Sequence, residues 1–138
     1  EGKTNKSINL AVRSAMEIKY IIDDDKKGIN NLLKKYSKID YGIGVDCGRI
    51  MCTKIGLGRN QNHQDLIWIG KAINRSTVIS DNCNNPNNIG ISKNVYENLD
   101  SLYLNDNGNE KYIWTPSEMV FCDKDEYYYT TEYSYSIY

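Results

Sequence analysis

The spacing of apolar residues changes near residue 39, and this change constrains the fold more than any other feature of the sequence. From Asn5 to Ile22, apolar residues recur at steps of three and four, which is typical of one face of a helix. From Ile39 to Asp46, apolar residues alternate with polar residues or glycine, which is the period of a strand. The two periods together indicate the α+β class, and we expect a mainly antiparallel sheet with helices on one face.

Further elements follow from the same periods and from turn residues. The predicted core face of the first helix consists of residues three and four apart: Ile8, Ala11, Ala15, Ile18 and Ile22. Strands over 39–46 and 49–55, joined by a turn at Cys47-Gly48, are expected to form an antiparallel hairpin. The other predictions are a helix over 29–36, a loop over 56–64, a strand over 66–69, a helix over 70–82, a strand over 89–92, a small helix capped by Ser92 that runs through Leu99, and a turn over 106–109.

The C-terminal segment is rich in tyrosine. Six tyrosines lie among threonine, serine and acidic residues near the end of the chain: Tyr127, Tyr128, Tyr129, Tyr133, Tyr135 and Tyr138. This composition favours strands, and a hairpin over 111–138 that turns near residues 123–125 is predicted. We therefore divide the chain into 1–104 and a hairpin extension of the same domain over 105–138. The tyrosine rings are expected either to pack in the sheet or to form a dimer surface.

Composition argues against several classes of function. A formal net charge of −1 disfavours a nucleic-acid partner. No apolar run reaches the roughly 18 residues of a membrane span, and no secretory leader opens the chain, so no membrane association is expected. The four cysteines form no CxxC pair and are expected to be reduced, in a cytoplasmic protein. His63 has no partners at metal-ligand spacing. The chain opens on Glu1 rather than Met, so a processed or cut chain is expected.

Four segments resemble, in the same order, segments of class III nucleotidyl cyclases. They read Gly-Ile-Gly-Val-Asp-Cys-Gly at 42–48, Ile-Gly-Lys-Ala-Ile-Asn at 69–74, Asn-Ile-Gly-Ile-Ser at 88–92 and Asn-Val-Tyr-Glu-Asn-Leu at 94–99. In that family the corresponding segments are a strand before a hairpin, a strand that opens a helix, a further strand and a short helix. The run Asp-Leu-Ile-Trp-Ile-Gly at 65–70 and the tyrosine-rich end are similar to the bacterial pyrimidine cyclases of the Pycsar antiphage systems.

The resemblance implies a ferredoxin-like cyclase fold whose N-terminal strands are missing from this chain. It implies a homodimer with shared sites that converts UTP or CTP to the 3′,5′-cyclic nucleotide and pyrophosphate, as a signal in antiphage defence. Two divalent metals, Mg²⁺ or Mn²⁺, activate the ribose 3′-hydroxyl and neutralise the triphosphate in such enzymes. The family's two metal-binding aspartates lie before the position that matches Glu1, so we name no metal ligand and expect this chain alone to be inactive.

The resemblance also implies roles for residues of the helix over 70–82. Asn74 matches the asparagine that contacts the ribose and orients the attacking oxygen. The family arginine that stabilises the triphosphate one turn later is replaced by Val78, which cannot do so. Lys71, one turn before Asn74, or the adjoining Arg75 can take its place, and the sequence does not choose between them.

The strand before that helix is expected to contribute to substrate binding through Ile67, Trp68 and Gly70. Many adenylate cyclases carry an Asp or Thr where this chain has Ile67, so we expect that this site does not select adenine in the usual way. Trp68 is expected either to join the core or to stack on the base. A degenerate nucleotide-binding or regulatory module, an adenylate cyclase, and a ferredoxin-like interaction domain without nucleotide chemistry are the alternatives.

Overall fold

The computed structural model describes residues 2–56, 64–106 and 111–137. The helices within these residues are α1 (Gly2–Asp23), α2 (Ile29–Leu33), α3 (Lys71–Asn82), α4 (Lys93–Glu97) and α5 (Ser101–Leu104). The strands are β1 (Ile43–Val45), β2 (Met51–Gly56), β3 (Gln64–Ile69), β4 (Ile89–Ser92), β5 (Thr115–Phe121) and β6 (Lys124–Thr131). His63 and most of the predicted loop over 56–64 and turn over 106–109 lie outside the described residues.

The main sheet has four strands in the order β1-β4-β6-β5. The β4–β6 and β5–β6 pairs are antiparallel, whereas β1 pairs with β4 in parallel, with Ile43 opposite Ile89. A separate ribbon of two antiparallel strands consists of β2 and β3, with Met51 opposite Ile69. The prediction of a mixed α+β fold with a mostly antiparallel sheet is confirmed.

The predicted hairpin between the strands over 39–46 and 49–55 is wrong. The first of them, β1, pairs with β4, and the second, β2, pairs with β3. A parallel pair needs a long connection, and here the β2–β3 ribbon and α3 supply it. The sequence between residues 46 and 50 therefore leads the chain out of the main sheet instead of turning it back along β1.

Helices cover both faces of the main sheet, so the prediction of helices on one face is wrong. Ile89 and Ile91 of β4 belong to a buried cluster with Val12 and Met16 of α1. Gly90 points the opposite way, where an added Cβ would collide with Ile79 of α3. Because successive strand residues face opposite sides, α1 and α3 lie in separate layers. The α3 layer has its own core: Ile79, Cys83, Met119, Phe121 and Tyr128.

The buried face of α1 differs from the predicted one by a rotation of the helix. Ile8 and Ala15 are buried as predicted, but Ile18 is 45% exposed. From residue 5 to the end of this helix, the buried positions are Ile8, Val12, Ala15, Met16 and Lys19. A lysine occupies the core side because its ammonium group has polar partners there, which a search for apolar periodicity overlooks.

The C-terminal hairpin forms as predicted, with a tighter turn and shorter strands. Phe121 pairs with Lys124, so the turn consists of two residues. Cys122 and Asp123 adopt φ of 51° and 59°, the left-handed conformation of a type I′ turn. After Thr131 the chain leaves the sheet, and the amide of Tyr135 donates a hydrogen bond to the Met16 carbonyl of α1.

None of the described helices combines the length and the apolar character that a membrane crossing requires.

Candidate functional site

The start of α3 is packed closely against the segment that precedes β2. Gly70 occupies the N-cap position of the helix and provides no side-chain cap. A Cβ on Gly70 would lie 2.8 Å from the Arg49 carbonyl oxygen and 3.0 Å from the Ile50 Cγ2 atom. The absence of a side chain at Gly70 is therefore needed for packing, and the residue serves this contact whether or not it also lies beside a substrate.

Asn74 and Lys71 lie on the face of α3 that points away from the sheet. Ala72 and Ile79 form the buried face of the helix. Lys71 and Asn74 are both exposed and, being three residues apart, lie on the same side of the helix. Val78 follows one turn later and is half-buried. The amide of Asn74 is thus available to a ligand or a partner, and it is not part of the core.

Arg75 adjoins Asn74 in sequence but points toward the main sheet. Its Nε atom donates to Glu126 Oε2 at 2.8 Å, and its Nη1 atom donates to Asp46 Oδ2 at 2.9 Å. The guanidinium also lies 4.7 Å from the ring centre of Phe121. The hydrogen bonds to Glu126 and then to Asp46 raise the pKa of Arg75, so the residue stays charged. Arg75 is therefore engaged by two carboxylates of the fold, whereas Lys71 and Asn74 are exposed.

Asp46 is the buried centre of this polar cluster. Only 1% of its side-chain surface is exposed. Its Oδ1 atom accepts hydrogen bonds from the Ser92 hydroxyl at 2.6 Å and from the Cys47 amide at 2.8 Å. The Ser92 oxygen in turn accepts from the Val95 amide and caps α4, as the sequence predicted. Asp46 therefore links the end of β1 to the starts of α3 and α4.

Sequence reasoning identified no role for Asp46 or Glu126. Arg75 lies 29 residues from Asp46 and 51 residues from Glu126 along the chain, and no periodicity connects such positions. A carboxylate at a predicted strand end was the available signal for Asp46. This signal could be interpreted only once the β1–β4 pairing, which brings Asp46 to Ser92, was known.

A cavity of about 570 Å³ opens beside the cluster. Charged side chains on its wall comprise four carboxylates and two cations: Asp46, Glu97, Asp125, Glu126, Arg75 and Lys93. Carboxylates outnumber cations, so the cavity disfavours an anionic ligand such as a triphosphate. Neither Lys71 nor Asn74 lines it.

An apolar groove of about 670 Å³ runs along β1 on the side away from β4. Residues from both helical layers line it, including Ile8 and Ala11 of α1 and Ile73 and Ser76 of α3. In the part of the chain that the structure describes, β1 pairs with β4 alone, so its other edge faces this groove.

Ile67 and Trp68 lie in the β2–β3 ribbon. Ile67 is opposite Thr53, and Trp68 is opposite Cys52. Successive residues of a strand point to opposite faces, so these two side chains cannot contact the same face of a base within one chain. Trp68 is 54% exposed, so the alternative in which it joins the core is wrong for this chain.

Divalent metal ligands are not assembled in the described part of the chain. No group of three or more His, Cys, Asp or Glu side chains there is placed to hold a metal ion. The buried carboxylate of Asp46 is already occupied by Arg75, Ser92 and the Cys47 amide. The described residues therefore do not fit the two-metal centre that the cyclase resemblance implies.

Comparison of the sequence with protein-family models and with curated proteins returned no match.

Proposed function

We propose that this chain is the C-terminal part of a nucleotidyl cyclase that converts UTP or CTP to a 3′,5′-cyclic nucleotide and pyrophosphate. The proposal rests on the resemblance of four segments to class III cyclases, and one structural observation supports it above the others. Asn74 and Lys71, both in the segment that resembles the family's nucleotide-binding helix, lie exposed on one face of α3. The Asn74 side chain is therefore accessible to a nucleotide, as the proposal requires.

The exposed face of α3 suits a ribose and a phosphate chain. The Asn74 amide has donors and an acceptor that can bind ribose hydroxyls and hold the 3′-oxygen toward the α-phosphorus. Lys71 supplies a positive charge one turn away, at the start of the helix, where the helix dipole is also positive. No acidic residue occupies the first turn of α3. In the reaction, the 3′-oxygen forms a bond to the α-phosphorus and pyrophosphate leaves.

The groove beside β1 supports an incomplete cyclase sheet. A strand placed there would hydrogen-bond to the free edge of β1 and would be covered by α1 on one face and α3 on the other. Such a strand would be apolar on both faces. In the proposed enzyme, the N-terminal strands of a ferredoxin-like cyclase fold would lie there, and that segment, outside this chain, would supply the metal ligands.

The β2–β3 ribbon supports a homodimer. A two-stranded ribbon is marginally stable by itself, and large exposed apolar patches are typical of interaction sites. Several apolar side chains of the ribbon are about half exposed: Met51, Ile55, Leu66, Trp68 and Ile69. A second copy that covers the ribbon would also allow Ile67 or Trp68 of one chain to meet the α3 face of the other.

Ile67 favours a pyrimidine substrate over adenine. Its side chain has neither a hydrogen-bond donor nor an acceptor, so it cannot bind the adenine amino group as the family's Asp or Thr does. Removing one buried hydrogen-bond partner costs about 1 to 3 kcal/mol. We place the enzyme in the cytoplasm, where a cyclic pyrimidine nucleotide would act as the antiphage signal.

A second candidate is a cyclase-like module that binds a nucleotide without turnover. The replacement of the family arginine by Val78 favours it, and so does the engagement of Arg75 with two carboxylates. Both candidates place the nucleotide at Asn74. They differ in whether a product forms.

The test is a cyclase assay on the complete gene product, supplied with UTP, CTP or ATP and Mn²⁺, with products identified by mass spectrometry. We expect cyclic UMP or cyclic CMP in excess over cyclic AMP. Asn74→Ala should lower kcat by roughly 100-fold, as the loss of one positioned hydrogen-bonding group does in other enzymes. Asn82→Ala, at the exposed end of the same helix, is the matched control and should leave the rate unchanged. Binding without product would favour the second candidate, and neither binding nor product would refute both.

A further inference from the structure

Two cations lie near Asn74, and their surroundings differ in a way that assigns them separate roles. Lys71 is exposed on the Asn74 face of α3. Arg75, one turn after Lys71, is held by two carboxylates, with 24% of its side chain exposed. We infer that Arg75 is a positioning residue, which holds α3 in a fixed rotation against the sheet, and that Lys71 is the cation that meets the phosphates. The Lys71 half of this inference rests on the proposed function.

Each nitrogen of the Arg75 guanidinium donates a hydrogen bond to a carboxylate of the protein. The Nε and Nη2 atoms both reach the Glu126 carboxylate, at 2.8 Å and 3.4 Å, while Nη1 reaches Asp46. This fork geometry is specific to arginine. To reach a triphosphate, the guanidinium would have to leave Asp46, whose side chain is 99% buried, and a buried charge without a partner is strongly unfavourable.

The direction of Arg75 also argues against contact with the nucleotide. Consecutive residues of a helix point about 100° apart, so Arg75 and Asn74 project to different sides. The cavity that Arg75 lines carries more carboxylates than cations, and it would repel a triphosphate. Neither Lys71 nor Asn74 lines that cavity, and no acidic residue occupies the first turn of α3.

The places that Arg75 links in the fold show that it would position α3. Asp46 follows β1, Glu126 lies in β6, and Arg75 lies in the second turn of α3. Two anchors, one just after β1 and one in β6, would prevent the helix from rolling on the sheet. The rotation of α3 determines where the Asn74 amide points. The ion pairs of Arg75 with Asp46 and Glu126, called the clamp below, would therefore act on the nucleotide by orienting Asn74 and not by direct contact.

Stability measurements test the clamp without any nucleotide. Arg75→Gln leaves the Asp46 carboxylate buried without its cation, and the unfolding midpoint of the chain should fall by roughly 10 °C. Glu126→Gln removes a partly exposed partner, and the midpoint should fall by about 2 to 4 °C. Since both changes break the same contact, the double variant should match Arg75→Gln alone. If the two shifts add instead, the clamp is refuted.

Titration of the same variants with UTP and Mg²⁺ distinguishes a positioning role of Arg75 from direct contact between Arg75 and the phosphates. If Arg75 bound phosphate directly, Glu126→Gln would release it from a competing carboxylate and UTP would bind more tightly. The positioning role predicts the opposite sign, with Kd rising by roughly two- to threefold. Lys71→Ala should weaken UTP binding by about tenfold, whereas Lys35→Ala, the removal of an equally exposed cation, should not.

Each result bears on one part of the inference. Tighter UTP binding by Glu126→Gln would overturn the positioning role, and an unchanged Kd for Lys71→Ala would overturn the assignment of Lys71. If neither the unaltered chain nor any variant binds UTP, the proposed function is refuted, and the assignment of Lys71 is refuted with it. The unfolding midpoints would still decide whether Arg75 forms the clamp.

Discussion

Lys19 shows how one residue can reverse the interpretation of a sequence pattern. It is 6% exposed, and its ammonium group donates to Asp23 Oδ2 at 2.9 Å and to Asn88 Oδ1 at 2.8 Å. The Asp23 carboxylate also accepts hydrogen bonds from the Tyr41 hydroxyl and the Asn30 amide. This network ties the end of α1 to the segments that precede β1 and β4, so a lysine stabilises a face that sequence analysis assigns to apolar residues.

The Asp23 network predicts a loss of stability in acid. Partial burial alone would raise the pKa of Asp23, but the hydrogen bonds from Lys19, Tyr41 and Asn30 outweigh it and lower the pKa. A carboxyl whose pKa is lower in the folded state stabilises the fold above its unfolded pKa, and this contribution disappears as the pH falls. We therefore expect part of the stability to be lost below about pH 4.

Asp23→Asn should remove this acid-dependent part of the stability and destabilise the chain by about 1 to 3 kcal/mol at pH 7. Urea unfolding at pH 7 and at pH 3.5 measures both effects. Asp25→Asn is the matched control, since Asp25 is an exposed carboxylate two residues away. An Asp23→Asn chain whose stability still falls in acid as steeply as the unaltered one would contradict this account.

At the scale of single residues, the candidate site was predictable only in part. The resemblance selected Asn74, and the structure leaves its side chain exposed. The ion pairs of Arg75 were not predictable, because they join residues far apart in sequence through strand pairings that the sequence does not specify. Periodicity identifies the face of an element, whereas a polar cluster depends on how several elements meet.

The contact between α3 and β1 determines how closely the helix layer approaches the sheet. Gly44 of β1 lies against the backbone of α3, where an added Cβ would overlap the Ser76 carbonyl oxygen. The neighbouring strand residues Ile43 and Val45 pack on the opposite side, against the α1 cluster. A side chain at Gly44 would therefore push α3 outward.

Gly44→Ala is expected to destabilise the chain by roughly 3 kcal/mol, because overpacking against backbone atoms cannot be relieved by a change of rotamer. Gly48→Ala is the control, since its added Cβ would meet only the Ala72 side chain, at 3.2 Å. Urea unfolding of the two variants should show a large loss for Gly44→Ala and a small change for Gly48→Ala. Equal stability of the two would show that α3 does not pack as described.

The helices and strands were easier to predict from the sequence than the pairing of the strands. The strong helical period over α1, the β3–α3 boundary at Gly70 and the Ser92 cap of α4 were all predicted. The pairing of β1 was not, because a short strand with alternating glycines carries no signal for a parallel partner that lies 46 residues away. The two helical layers depend on that pairing, so they were missed with it.

For the molecule as a whole, the β2–β3 ribbon predicts self-association. Leu66 and Trp68 share one face of the ribbon, and each is 54% exposed. If a second copy covers this face, Trp68→Lys should weaken the dimer by at least about tenfold, as the loss of a buried aromatic anchor does. Analytical ultracentrifugation over a range of concentrations measures the change.

Val120→Lys provides the control for the ribbon, because Val120 is also an apolar strand residue and is 64% exposed, but lies on β5. It should leave the dimer intact. A chain that stays monomeric at all concentrations, or a dimer that Trp68→Lys does not weaken, would show that the ribbon is not the dimer surface.

The central claim is that the exposed face of α3 with Asn74 and Lys71 receives a nucleotide. Its most direct test is an NMR titration of the ¹⁵N-labelled chain with UTP and Mg²⁺, with binding expected on the order of 1 mM for an incomplete site. The account predicts amide shifts concentrated at residues 70–75, and their loss in Asn74→Ala. Shifts confined to other surfaces, or no shifts at all at ten times that concentration, would contradict it.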